Sequence, residues 1–314
     1  MTPGKIVIGT RGSALARWQA AHVARELQAA HPGLVIEEHI LVTEGDRKQT
    51  GPVIDLGGKG VWVKEIEDAL TAGTIDLAVH SLKDVPAELA PGLALVAIPE
   101  RADPRDAFVS RSGAGLMALP AGSVVGTSSL RRVCQVRALR PDLRVEVLRG
   151  NVDTRLRKVA EGVVDAGVLA CAGLDRLEVA SRITERLTID QMLPAIGQGA
   201  LALEARANDA RVVSLARALA DTQAELTVAA ERGLLAGLGV GCRTPVAGHA
   251  VVRDGKVVLR GLVGRPDASE MIREEGSADA SGGASQAGAL GAELARRLLS
   301  RGADRILREL EGAP

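Results

Sequence analysis

Hydrophobic and polar positions alternate along this chain in two rhythms that recur. Residues 5–9 form a short apolar run and residues 10–13 a polar turn. Residues 14–30 then set Leu15, Val23 and Leu27 on one helical face behind Ser13, a residue type suited to an N-cap. The same grammar returns downstream as a strand over 123–126, a hydroxyl-rich turn over 127–129, and a helix to Pro141 carrying Leu130, Val133, Cys134 and Ala138 inward. A second pair of matching segments follows. Gly73-x-x-Asp76 opens an apolar run to His80, and Gly162-x-x-Asp165 opens one to Leu169, each after a helical stretch, 64–70 and 154–160. Repetition of strand, turn, helix and buried strand predicts an α/β fold with two similar lobes and a ligand cleft between them.

The domain limits follow from the punctuation. The proline-flanked stretch 99–104 reads as a first crossing between lobes, and the apolar run 199–203 after LPAIGQ as a strand near the second. The first domain is therefore expected to be discontinuous, residues 1–99 plus 200–217, with the second at 100–199. From residue 222 the pattern changes to a helix reaching 238, a glycine-rich loop, and strands over 246–253 and 256–264 around Asp254-Gly255, a strong hairpin signal. A Gly- and Ser-rich loop at 277–285 and a helix near 286–301 complete a third, α+β domain at 218–314. Residues 42–62 are polar and broken by glycines, a composition suited equally to a mobile lid and to a plain disordered loop.

Composition narrows the function. The 314 residues carry 39 Lys+Arg against 39 Asp+Glu, so no net charge favours nucleic acid or an anionic membrane. Trp18, Trp62 and Phe108 are the only aromatics, too few for base-stacking platforms. No basic-then-apolar leader opens the chain and no apolar stretch reaches the roughly 18 residues of a membrane span, so a cytoplasmic protein is expected. Five scattered histidines and three cysteines without a CxxC pair give no metal-ligand spacing. Only seven of the cations are lysine; the rest are arginines, which fork onto carboxylates.

Position shows where those arginines matter. Both helix starts combine free backbone N–H groups with hydroxyls (Ser13; Thr127, Ser128, Ser129) and guanidiniums (Arg11; Arg131, Arg132), an arrangement that binds anions. Arg149, Arg155 and Arg176 recur where predicted strands give way to the next element. Cations dispersed over several loops fit a ligand with several carboxylates, and no GxxxxGK[ST] loop supports a nucleotide. After the buried strand ending at His80, the Ser81-Leu82-Lys83-Asp84-Val85-Pro86 turn puts Asp84 at the cleft edge, able to stabilise a cation or exchange protons with a substrate N–H. Gly239-Val240-Gly241-Cys242-Arg243 exposes a thiol among glycines beside a cation, so Cys242 is the candidate nucleophile. Cys134 and Cys171 lie in apolar surroundings and read as small buried hydrophobes.

Taken in order, IGTRGSALARWQ, GGKGVWVKE, AVHSLKDVP, GTSSLRR, LRGNVDTRL, AGLDRL, LPAIGQGAL and GVGCRTP resemble the porphobilinogen deaminase (hydroxymethylbilane synthase) family. The resemblance implies three α/β domains, the first two like type II periplasmic binding proteins and the third a small antiparallel sheet with helices. It implies a monomeric transferase of tetrapyrrole biosynthesis that joins four porphobilinogen molecules head to tail with loss of ammonia, then releases hydroxymethylbilane. It further implies a dipyrromethane cofactor attached through Cys242. On matching positions, Asp84 is the catalytic carboxylate. Ser13, Lys83, Asp84, Thr127, Ser128, Ser129, Arg131, Arg132 and Arg155 contact the cofactor, and Arg11, Ser13, Arg149, Arg155 and Arg176 the substrate. Trp62, where the family pattern has Phe, and GVGC in place of GGGC are the departures. The alternative is a non-enzymatic two-lobed protein that binds small anions.

Overall fold

The computed structural model describes residues 4–43, 63–239 and 244–311. The chain forms two compact units, one within Met1–Ala102 and Ala200–Glu225 and the other within Asp103–Gly199 and Leu226–Pro314.

In the first unit, strand β1 (Lys5–Arg11) leads through a tight turn into helix α1 (Ala14–Ala30), followed by β2 (Val35–Leu41), α2 (Lys64–Thr71), β3 (Leu77–Ser81) and β4 (Leu93–Ala97). The second has β5 (Asp106–Ser110), β6 (Val124–Gly126), α3 (Leu130–Leu139), β7 (Arg144–Glu146), α4 (Val152–Ala160), β8 (Ala166–Ala170), α5 (Cys171–Arg176) and β9 (Glu185–Arg186). Strand β10 (Leu201–Arg206) and helix α6 (Ala210–Arg217) return to the first unit. Its sheet runs β2-β1-β3-β10-β4, and the sheet of the second unit β7-β6-β8-β5-β9. In each, three parallel strands are followed by one antiparallel strand, β10 or β5, and then by an edge strand that again runs parallel to the first three.

The predicted repeat holds at the level of single atoms. The Asp76 carboxylate accepts from Val7 N at 2.9 Å while Asp76 N donates to Val7 O at 2.8 Å. Asp165 does the same to Val124, at 2.8 and 2.9 Å. The shared Gly-x-x-Asp thus fastens the start of the third parallel strand to the first in both sheets. Each sheet buries aliphatic side chains beneath its helices: Ile6, Ile8, Val23, Leu27, Leu77 and Leu203 in one, Val109, Leu148, Leu156 and Leu174 in the other.

Helix α7 (Thr222–Leu238) begins the last part of the chain, which builds an antiparallel sheet from β11 (Val246–Arg253), β12 (Lys256–Gly264) and β13 (Met271–Asp279), then α8 (Gly283–Leu298) and α9 (Asp304–Glu311). Asp254 and Gly255 take φ of 50° and 72°, the left-handed pair that a two-residue hairpin requires. Glycine also sets the approach of α7 to α8, because a Cβ on Gly291 would stand 2.1 Å from Ala230 O.

Two expectations are corrected here. The loop expected at 277–285 is partly strand: Ser277 pairs with Val258 and Asp279 with Lys256, since β12 offers backbone partners to a Gly/Ser sequence that has no strand preference of its own. Helix α8 accordingly starts at Gly283, and the expected helix 286–301 is interrupted from Leu299 by a wider turn in which Gly302 has φ 104°.

Candidate active site

At the first helix start, Ser13 caps α1, its hydroxyl accepting from Ala16 N at 3.3 Å, directly after Arg11 ends β1. The face of α1 differs from expectation, for Leu15 is half-buried and Gln19 is buried. Gln19 Nε2 donates to Ser81 Oγ at 2.8 Å, tying α1 to the end of β3. On the same strand, His80 Nε2 lies 2.8 Å from Glu204 Oε2, a buried pair joining β3 to its neighbour β10. One helical turn follows, Leu82–Asp84, anchored by buried Leu82 and Val85 while Lys83 and Asp84 stay half-buried. Asp84 makes no hydrogen bond or ion pair with any described residue. An anchored turn carrying an uncommitted carboxylate is suited to acid–base work on a ligand N–H.

The second helix start is built differently. Thr127 is buried and its Oγ1 accepts from Ser129 N at 3.2 Å, while Ser128 Oγ donates to Leu148 O at 2.7 Å. Ser129 occupies the N-cap position of α3, yet its side chain makes no capping bond. The buried face of α3 is also not the predicted one. Ala138 is exposed and Leu130 half-buried, whereas Arg131, Arg132, Cys134, Gln135 and Val136 are buried.

The reason for that rotation is Asp106, fully buried at the start of β5. Its carboxylate accepts from Arg131 Nη1 at 2.7 Å and Nη2 at 3.2 Å, from Arg132 Nη2 at 2.7 Å and Nε at 3.0 Å, and from Gln198 Nε2 at 3.0 Å. Burial alone raises a carboxyl pKa, but the two guanidiniums hold that of Asp106 well below the usual range. Burial lowers the Arg132 pKa, opposed by Asp106. The cluster also grips the LPAIGQG segment: Arg131 Nη1 and Gln135 Nε2 donate to Leu193 O, and Gln135 Oε1 accepts from Leu193 N. Glu231 of α7 accepts from Gly197 N at 2.6 Å. Asp106, Gln135 and Glu231 carried no functional signal in sequence; the one available sign was a charge opening the apolar run DAFVS.

Arg149 is half-buried, with its backbone O receiving Lys158 Nζ. Arg155, on α4, donates from Nε to Gly150 O at 2.7 Å. Arg176 does not stand at a strand end but closes α5, where it donates to Gly199 O at 2.8 Å, and burial pushes it down to about 10. Cys134 and Cys171 are fully buried, their thiols pushed up to about 11 and about 12. Cys242, with residues 240–243 of its loop, and residues 44–62 of the expected lid lie outside the described residues. Among the described residues no helix is long and apolar enough to cross a membrane, and no group of three His, Cys, Asp or Glu is placed to hold a metal ion.

Within the second unit, an anionic group fits what is present: the Asp106 cluster holds two guanidiniums against one carboxylate, Arg131 Nε is buried without a hydrogen-bond partner, and Ser129 Oγ is uncommitted among the described residues. The fold is that of an α/β protein with two sheets of the same strand order and a separate small antiparallel sheet, and its second unit carries a buried excess of positive charge.

Comparison with known proteins gives the particular family. The model for "Porphobilinogen deaminase, dipyromethane cofactor binding domain" matches residues 6–214, and that for the C-terminal domain matches residues 225–300. A protein named porphobilinogen deaminase from Syntrophotalea carbinolica is 49% identical over 314 residues, covering 100% of this chain and 98% of its own. One of the same name from Sorangium cellulosum is 51% identical over 296 residues, covering 94% and 99%. Among solved structures, the VFT2 domain of Bordetella pertussis BvgS aligns over 69% of this chain and 87% of its own, at 18% identity and a TM-score of 0.42, a likeness too shallow to bear on function. The chain belongs to the porphobilinogen deaminase family. It is a transferase whose cofactor is dipyrromethane.

Proposed function

We propose that this chain condenses four porphobilinogen molecules head to tail with release of ammonia, then frees hydroxymethylbilane by hydrolysis, and that the residues described above divide that work. When bound at Cys242, the dipyrromethane supplies the pyrrole carbon on which the chain of rings begins. Arg131, Arg132, Arg155, Lys83, Ser13, Thr127, Ser128 and Ser129 hold its carboxylates. Arg11, Arg149, Arg155 and Arg176, with Ser13, orient the acetate and propionate of the incoming porphobilinogen by charge-assisted hydrogen bonds. Asp84 faces the positive charge that develops on the pyrrole as ammonia departs, and takes and returns the ring N–H proton. The division into domains at 1–99 plus 200–217, 100–199 and 218–314, a monomeric state and a cytoplasmic location go with this reading.

The observation that supports it most is the buried excess of positive charge at Arg131 and Arg132, with Arg131 Nε unpartnered. An uncompensated buried cation costs several kcal/mol, on the order expected for any ion withdrawn from water, unless an anion joins it. Intact-mass measurement tests the cofactor assignment. The purified protein should carry the added mass of two linked pyrroles, absent from Cys242→Ala, and an unmodified, fully active protein would overturn it.

A further inference from the structure

Asp106 has no place in that division of labour, yet its carboxylate is a point on which hydrogen bonds converge. Five N–H groups, from Arg131, Arg132 and Gln198, converge on its two oxygens at 2.7 to 3.2 Å. Asp106 is 0% exposed, Arg131 2%, Arg132 5% and Gln198 1%. The rest of the shell is neutral: Leu193 O beside Arg131, Val168 O beside Arg132, and Pro104 O beside Gln198. Among the described residues no second carboxylate reaches either guanidinium.

A cluster serving only to join α3 to β5 needs one arginine for one aspartate. The second arginine leaves a net positive charge in a buried site, where no second carboxylate among the described residues repays its desolvation. The unpartnered Arg131 Nε is the complementary sign, a buried donor kept open beside the carboxylate that could have absorbed it. Asp106 therefore takes up half of the available positive charge and leaves the other half.

We propose that Asp106 is a specificity-determining counter-ion: by neutralising one of the two buried guanidiniums it leaves a single charge, with Arg131 Nε–H, for one carboxylate of the bound pyrroles. This rests on the reading that Arg131 and Arg132 face the cofactor. Asp106 and the ligand carboxylate then compete for the same two cations, so removing one strengthens dependence on the other.

The test compares melting temperatures of the cofactor-loaded protein and of Cys242→Ala, with loading checked by intact mass. In Asp106→Asn the gap between the two should widen by at least about 3 °C, the scale of a coupling of one to two kcal/mol in a chain of this size. In Arg131→Met the gap should narrow. An unchanged gap in Asp106→Asn, beside a narrowed one in Arg131→Met, would reduce Asp106 to a purely structural residue and overturn the proposal. Gaps unchanged in both would instead reject the placement of these arginines at the cofactor. Asp106→Asn that folds without the added mass also overturns it. Should Asp106→Asn not fold, Asp106→Asn/Arg132→Met restores the original charge and is expected to fold and load with a gap like that of the unaltered protein. Failure of the double variant to fold, or a gap unlike the original, would show that charge is not what Asp106 controls.

Discussion

Replacing Asp84 by asparagine exchanges one oxygen for an amide nitrogen at nearly constant volume. The side chain is half-buried at the end of an anchored turn and makes no hydrogen bond or ion pair among the described residues, so no bond to any of them is lost. A change of this kind away from a buried network alters stability by about 0.5 kcal/mol or less, roughly 1 to 2 °C in melting temperature. The asparagine can neither take a proton nor offset positive charge. A positioned general acid–base group contributes about 10² to 10⁴ in rate, equivalent to about 2.7 to 5.4 kcal/mol of barrier. Turnover of porphobilinogen should fall by that factor, while the added mass of the cofactor and the melting temperature stay close to those of the unaltered protein. Consumption of porphobilinogen, followed with Ehrlich's reagent, gives the rate, and calorimetry gives the melting temperature. A variant that retains more than about a third of normal turnover would refute the proton-handling role of Asp84. A loss of activity matched by a large drop in melting temperature would refute the claim that the carboxylate is structurally uncommitted.

Two further outcomes follow from the packing. Burial pushes the Cys134 thiol up to about 11 and that of Cys171 up to about 12, from an ordinary 9.0. The unfolded chain therefore ionises first: the stability these thiols contribute is complete below 9.0 and is lost as pH rises through about 11 to 12. Neither cysteine in the folded protein should take up iodoacetamide near neutral pH by peptide mass, and rapid labelling of either would contradict their burial. Gly291→Ala places a Cβ 2.1 Å from Ala230 O and 2.5 Å from Leu234 N, so α7 and α8 must separate. Such overpacking costs about 1 to 3 kcal/mol, and an unaltered melting temperature would show that the helix contact is not tight.

Much of the scaffold could be read from the chain because its causes are local. Helix α1 over Ala14–Ala30 and α7 over Thr222–Leu238 follow from apolar spacing, and the β11–β12 hairpin follows from Asp254-Gly255, whose backbone preference needs no distant partner. The repeated Gly-x-x-Asp could be recognised as a repeat, though not as the clamp it forms with Val7 and Val124. Asp84 and the hydroxyls at both helix starts were likewise visible, because turn chemistry and reactive groups are written in consecutive residues.

What tertiary structure decided is how the charges are partnered. Periodicity assigned Leu130 and Ala138 to the inner face of α3, but helix packing turned Arg131 and Arg132 inward onto Asp106, far off in sequence and adjacent in space. A buried carboxylate outweighs the small gain from covering Leu130 and Ala138, because unpaired charge in a dry interior costs more than a few apolar contacts return. In the same way Ser277 and Asp279 became strand only because β12 presented an open row of backbone partners. Sequence determined which residues carry positive charge; only the fold determined that two arginines, Arg131 and Arg132, meet the single carboxylate of Asp106, because charge balance depends on distance in space and not along the chain.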